Sequence, residues 1–419
     1  MSNFTNTIII GAGQAGLAMS RNLTDRSISH VVFERGEIAN AWRTERWDSL
    51  RLLTPNWMTR LPNWKYTGAD PDGYMTMPEV ADYMADFADS FDAPVLQNTT
   101  VTNVEPMGGG YPGYKVDTDG GSWFARSVVL ATGACNRPRV PAWASKLGSN
   151  ITQITPKTYR NPGQLPSGGV LVVGAAASGV QIAHELANAG KDVTLAVGRH
   201  IRLPRNYRGM DIQWWLDASG LLDRRWDEID DLKKARRQPS LQIVGTPEHT
   251  TLDLSTLLNQ GVRLTGRVED IEGSKVTFAD DLASTCDQAD RQLARILSML
   301  DRYAVDAGID AGVRPAERFS STPVPVAPKA IDLEGEGITT VLWATGFTPD
   351  YPWLNARVFD DRGEIDHEGG VVNGAPGMYV LGLPFMRRRR STFIDGAAGD
   401  AAALADHLAG HLDREPLVV

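Results

Sequence analysis

Short apolar runs that stop at glycine punctuate the chain. Thr7-Ile8-Ile9-Ile10 is apolar and β-branched, the pattern of a strand buried in a parallel sheet, and it runs straight into Gly11. Leu17 to Leu23 then shows apolar residues at helical spacing, and His30-Val31-Val32-Phe33 is a second apolar run that ends in Glu34. The same order returns further along. Gly169 to Val173 reads as a strand, Gly174 to Gly179 as a turn of small residues, and Val180 to Leu186 as the start of a helix. Strands alternating with helices predict an α/β protein with parallel sheets. Two copies of the unit predict two Rossmann-like dinucleotide-binding domains.

Each turn carries chemistry. Gly11-Ala12-Gly13-Gln14-Ala15-Gly16 is G-x-G-x-x-G in its required setting, after a strand and at the start of a helix. Gly11 permits the tight turn, Gly13 lets backbone approach a pyrophosphate, and Gly16 lets helix and strand pack closely. The helix start offers N–H groups and the positive end of its dipole to phosphate. Glu34, at the tip of the next strand, can accept hydrogen bonds from an adenosine ribose.

The second turn reads Gly174-Ala175-Ala176-Ala177-Ser178-Gly179, with Ala176 at the middle glycine position. The added methyl predicts looser or displaced pyrophosphate binding. Glu34 lies 23 residues after Gly11, and the same step from Gly174 reaches Val197, followed by Gly198, Arg199 and His200. A guanidinium in place of the acid suits a 2′-phosphate; the alternative is that Arg199 and Arg202 belong to a solvated surface. The pair of turns therefore predicts FAD at the first and NADPH at the second.

Two further runs end alike. Ser127 to Leu130 leads into Ala131-Thr132-Gly133, and Thr340 to Trp343 into Ala344-Thr345-Gly346. Small residues there let the chain leave a sheet beside a cofactor or cross to the next domain. The expected organisation is an FAD domain in two pieces, residues 1–144 and 341–419, with an NADPH domain at 145–340 inserted between them. Arg137-Pro138-Arg139-Val140-Pro141 reads as the outward linker and Phe347-Thr348-Pro349-Asp350 as the return. Helical spacing over 280–310 (Leu282, Ala289, Leu293, Ile296, Leu297, Leu300, Tyr303) predicts a helical addition to the second domain, then an extended Pro-rich stretch from Ser321 to Pro328.

Net charge narrows the partners. Of 419 residues, 42 are Lys or Arg and 51 are Asp or Glu, a balance of -9 that repels nucleic acid and anionic membranes. The expected partner is then a small molecule, with a homodimer left open. Cys135 and Cys286 are too few and too far apart for a disulfide framework, a C-x-x-C pair or a thiolate metal site. The seven histidines show no H-x-x-x-H spacing and no G-x-S-x-G elbow occurs, so neither a metal centre nor a serine hydrolase is expected. No secretory signal pattern or membrane-length apolar run is found, and a cytoplasmic setting is expected.

With these motifs assembled, the chain resembles the flavin-containing monooxygenase superfamily, in particular its bacterial single-chain members with two dinucleotide-binding domains. The resemblance spans nearly the whole chain. It is carried by the first glycine turn, Glu34-Arg35-Gly36, Trp42-Arg43, both Ala-Thr-Gly segments, Tyr159-Arg160-Asn161-Pro162 and Gly377-Met378-Tyr379-Val380-Leu381-Gly382. It implies that Trp42 and Arg43 lie along the FAD pyrophosphate and flavin, that Val101 meets the adenine through its backbone, and that Thr132 and Gly133 pack on the dinucleotide. Gln14, Ala15, Arg35, Tyr159, Ser178 and Gly179 join the cofactor-binding set on the same ground. Thr155 stands where the family fingerprint has a histidine, and Ile151 where it has a glycine.

The implied reaction is carried by the flavin, so no side chain is assigned as general acid or base. NADPH reduces FAD, the reduced flavin forms a C4a-(hydro)peroxyflavin with O2, and one oxygen atom passes to a sulfur, an amine nitrogen or an indole-like carbon. The alternatives are an NADPH oxidase or quinone-reducing flavoprotein, and, lower, a disulfide reductase or an FAD-holding redox sensor. A last helix from about Gly396, with Asp395 before it, either aims its N-terminus at the flavin or simply docks the C-terminus. Arg387-Arg388-Arg389-Arg390 reads as an anion-binding rim or as a solvated loop, and Trp214, Trp215 and Trp353 as pocket walls or packing residues.

Overall fold

The computed structural model describes residues 3–108 and 112–414. Residues 1–2, 109–111 and 415–419 of the expected FAD segments lie outside the described residues. The apolar runs form two parallel sheets. In the first, the strands Met378–Val380, Gly121–Leu130, Asn3–Ile10, His30–Phe33 and Val95–Leu96 lie side by side in that order, all parallel. In the second, the order is Thr152–Ile154, Ile338–Trp343, Gly169–Val173, Val193–Ala196 and Arg263–Thr265, again all parallel. Helices Gln14–Asp25 and Ala177–Asn188 follow the first strand of each glycine unit.

The two units match bond for bond at the ends of their strands. Gly11 N–H donates to Phe33 O at 2.8 Å and Ala131 N–H to Ile10 O at 2.9 Å. Gly174 N–H donates to Ala196 O at 3.0 Å and Ala344 N–H to Val173 O at 2.9 Å. Hydrogen bonding therefore aligns Phe33 with Ala196, and so Glu34 with Val197. Each Ala-Thr-Gly segment has a packing role as well. A Cβ on Gly11 would sit 2.6 Å from Ala131 O, and one on Gly174 would sit 2.4 Å from Ala344 O.

Two chain crossings join the sheets. Arg137–Pro138 and Phe347–Thr348 pair antiparallel, so the outward and return segments run against each other. The strand Ile338–Trp343 belongs wholly to the second sheet, which carries that sheet three residues past the expected break at 340/341, because its register with Gly169–Val173 continues to Trp343.

The helical addition is one helix, Leu282–Asp306, whose buried stripe Leu282, Cys286, Ala289, Leu293, Leu297, Leu300 and Ala304 keeps helical spacing. Part of that stripe packs on Tyr207, Ile212 and Trp215, and on Met58 from the first unit. Trp215 is fully buried, as the packing reading expects, and Trp353 lines the main cavity. Among the described residues no helix is long and apolar enough to cross a membrane, and no three His, Cys, Asp or Glu side chains gather as a metal-binding set.

Candidate functional site

Both glycine turns open on one cavity of about 1480 Å³. At the first turn, Gly11 takes φ +105°, a region open to glycine, and a Cβ on Gly16 would stand 1.8 Å from Gly11 O. Packing demands these two glycines. Gly13 differs: it precedes the helix with φ -85° and ψ -172°, and a Cβ there would meet nothing within 4 Å. The protein itself leaves that space open, as a pyrophosphate cradle requires.

The polar groups around this cradle are held in place. Glu34 is buried; its Oε2 accepts Ala12 N–H at 2.8 Å and its Oε1 accepts Gly36 N–H at 3.3 Å. Gln14 bridges two elements: its Oε1 accepts the Trp42 indole N–H at 3.3 Å and its Nε2 donates to Thr392 O at 3.4 Å. Ala15 packs against Gly382. Arg35, Val101, Thr132 and Gly133 also line the wall, and Arg35 is ion-paired with Glu45. This donor set and open cradle fit a flavin dinucleotide.

The second turn repeats the geometry with a change. Gly174 has φ +110°, and a Cβ on Gly179 would lie 1.8 Å from Gly174 O. Ala176 has φ -80° and ψ -174°, the conformation of Gly13, so its methyl occupies the direction left open in the first unit. Ala177 and Ser178 face the cavity; Gly174, Ala176 and Gly179 do not. A strap over 238–243 crosses this helix start. Ala177 N–H donates to Ser240 Oγ at 3.3 Å, Gln242 Nε2 to Ala175 O at 2.6 Å, and Gln181 Nε2 to Ile243 O at 2.8 Å.

Four more expected site residues, outside the two glycine turns, stand away from the cavity wall. Arg43 does not reach the cavity, because its guanidinium is drawn to Asp82 at 2.9 Å. Tyr159 is fully buried in the core of the second unit, with its hydroxyl donating to Glu185 Oε2 at 2.8 Å. Its neighbours clamp the units together: Arg160 donates to the carbonyls of Thr44 and Arg46, and Asn161 Nδ2 to Asp48 at 2.6 Å. Arg199 is exposed beyond the tip of its strand and outside the cavity wall; Gly36, which aligns with it, is outside that wall too. Asp395 is buried beneath the wall, where Arg390 pairs with it at 2.6 Å and Arg60 at 3.3 Å. Burial still pushes its carboxyl above the ordinary range.

The late helix begins at Ile394, earlier than Gly396, and Thr392, Phe393 and Ile394 line the cavity at its start. The arginine run is no solvated loop. Arg390 pairs with Asp395, Asp217 and Asp223, Arg388 with Asp400 at 3.3 Å, and Arg389 turns into the cavity. Sequence reasoning missed Arg46, Lys157, Arg224 and Arg236 on the wall. Lys157, two residues after Thr155, donates to Asn136 O at 2.6 Å and pairs with Glu45 at 3.3 Å. Cys135 faces the cavity, whereas Cys286 is buried in the second core, where burial pushes its thiol up to about 11.

Comparison with known proteins agrees with this geometry. A profile for the pyridine nucleotide-disulphide oxidoreductases matches residues 8–217. An uncharacterized CzcO-like oxidoreductase of Geobacillus kaustophilus (strain HTA426) is 32% identical, over 98% of this chain and 100% of its own. The indole-3-pyruvate monooxygenase YUCCA6 of Arabidopsis thaliana is 31% identical over 49% of this chain and 51% of its own. Among solved structures, a flavin-containing monooxygenase from Stenotrophomonas maltophilia superposes with a TM-score of 0.68 at 18% identity, covering 98% of this chain and 99% of that one. The chain belongs to the pyridine nucleotide-disulphide oxidoreductase family, and it shares its fold with flavin-containing monooxygenases.

Proposed function

We infer that the protein is an NADPH-dependent FAD monooxygenase, which places one oxygen atom of O2 on a sulfur, an amine nitrogen or an indole-like carbon of a small organic substrate. The observation that carries this reading is the opening of two matched dinucleotide turns on a single cavity. FAD would be held by the N–H groups at the start of helix Gln14–Asp25, by Glu34 at the ribose and by the wall around Trp42, Val101, Thr132 and Gly133. NADPH would be held at Ala177 and Ser178, with Arg199 toward its 2′-phosphate. When bound, the flavin supplies hydride acceptance and oxygen activation.

The chain's own residues position and shield. Gln14 fixes the Trp42 indole against the late helix start, so the wall beside the first turn is preset. Leu203, Leu216, Leu222, Ile243 and Phe393 give the cavity an apolar lining that excludes water from the reacting centre. Neither cysteine has a thiol neighbour in sequence, and one is buried away from the cavity, so the disulphide chemistry in the family's description does not transfer. The setting is the cytoplasm in this reading.

Purified protein mixed with NADPH tests it. Bleaching of yellow flavin, followed by transfer of label from heavy-isotope O2 to an added thioether, amine or indole, is the expected result. Bleaching with release of unlabelled substrate and hydrogen peroxide assigns an NADPH oxidase instead.

A further inference from the structure

We propose that the cavity grips a carboxylate-bearing substrate through Arg224, Arg236 and Arg389, separately from the cofactor phosphates. This rests on the monooxygenase reading above and names the class of molecule it acts on.

The argument begins with charge. The part of the wall built by residues 201–299 and 382–394 carries Arg224, Lys234, Arg236, Arg291, Arg295 and Arg389 and no Asp or Glu. Glu34, Glu45 and Asp350, the acids on the wall, come from other segments. In a chain of net charge -9 this is a local reversal of sign. Arg291 is engaged by Asp287 at 2.7 Å, but none of Arg224, Arg236 and Arg389 has a carboxylate in ion-pair contact among the described residues.

Arg389 differs from both neighbours in the run, which are paired with Asp400 and Asp395. Its side chain meets Gln238 Oε1 at 3.2 Å and lies 5.1 Å above the Phe385 ring, both uncharged. Among the described residues, the side-chain contact of Arg236 is with His367 Nε2, at 3.3 Å. The Nε–H of Arg236 and of Arg389 is buried without an acceptor among the described residues. Burial pulls both guanidinium groups below their ordinary range, with Arg224 adding repulsion at Arg389 and Glu364 and Asp366 acting on Arg236 through space. A half-buried guanidinium held without an ion-pair partner is costly, and an anionic group offsets that cost. A planar carboxylate matches the guanidinium fork.

Position favours substrate over cofactor. Segments 225 and 388 bridge antiparallel, and Arg389 N–H donates to Arg224 O at 3.2 Å, which sets the two arginines together. Arg389 opens the short turn that ends at Thr392, whose carbonyl accepts from Gln14 of the first glycine turn. An acid anchored at Arg389 would therefore lie beside the wall expected to carry the flavin. Arg199, the residue expected at the 2′-phosphate, is outside this wall.

Two thioether probes of equal size test the proposal: para-(methylthio)benzoate and its primary amide, titrated calorimetrically into the flavin-loaded protein. The acid should bind at least ~10-fold more tightly, about 1.4 kcal/mol. In Arg389→Gln, and in the exposed-site variant Arg224→Gln, that preference should fall to near parity, while NADPH affinity changes by less than about twofold. Equal affinity of acid and amide, or no measurable binding of either, overturns the proposal. Loss of NADPH affinity in step with the acid overturns it too, because the patch would then serve cofactor phosphate. If NADPH fails to bleach the flavin, the monooxygenase reading falls, and the ratio of acid to amide affinity still decides the anion site.

Discussion

The hydroxyl oxygen of Ser240 accepts the backbone N–H of Ala177 at 3.3 Å. That amide opens the helix after the second glycine turn, and it is among the donors a pyrophosphate would use. The matching residue in the first unit, Gln14, has no side chain on its amide among the described residues. Freeing a donor of this kind is worth about 0.5–1.5 kcal/mol. Ser240→Ala should therefore lower the NADPH concentration for half-maximal flavin bleaching by roughly 2- to 10-fold. Stopped-flow absorbance reads this directly, and a higher concentration requirement would mean that Ser240 holds the turn ready for the nucleotide.

The glycines of the first turn should separate by role. Gly13→Val should fold normally and purify colourless, since a Cβ there meets no protein atom within 4 Å. Gly16→Ala should not fold, since its Cβ would stand 1.8 Å from Gly11 O. Circular dichroism and flavin absorbance measured together distinguish the two outcomes. A yellow Gly13→Val protein would show that the cradle is not where the dinucleotide lies.

Arg199→Ala should raise the KM for NADPH about 10-fold, the loss expected for a charge-assisted contact to phosphate, and leave the KM for NADH nearly unchanged. Its exposed position makes a folding defect unexpected. Equal effects on the two nucleotides would remove the 2′-phosphate role.

Acid should destabilise the protein in a window set by His367. Burial, then the Arg236 charge, lowers its pKa from 6.5 to about 4, and its Nδ1 accepts Gly370 N–H at 3.2 Å. The unfolded chain takes up the proton first, so stability is complete above pH 6.5 and is lost as pH falls toward about 4. The loss is on the order of 3 kcal/mol. Denaturant melts across this range, compared with His367→Gln, should show a shallower acid slope in the variant.

The parts of the site legible in the sequence were those whose chemistry lies in the backbone. Both glycine turns, the Ala-Thr-Gly segments and Glu34 sit at strand ends, where the period of the apolar run fixes which residue meets which. Arg224, Arg236 and Arg389 come from a loop, the end of a short helix and a 3-10 turn, brought together by contacts of 222–226 and Gln238 with 387–390. No local spacing encodes that contact. Arg43 and Tyr159 show the opposite error. Each stands in a recognisable motif, yet Asp82 and Glu185, 39 and 26 residues away, decide where the side chain goes. The arginine run left two readings open for a related reason: a rim and a solvated loop look alike in sequence until the partners Asp217, Asp395 and Asp400 are known.

The antiparallel pairing of Arg137–Pro138 with Phe347–Thr348 bears on ancestry and engineering. A guest whose two ends already adjoin can be excised as a cassette, and the host's severed strands need only a brief splice to rejoin. Swapping the unit built on the second sheet between homologues at these paired residues should leave both units topologically intact, so its ligand preference is exchangeable without rebuilding the first sheet.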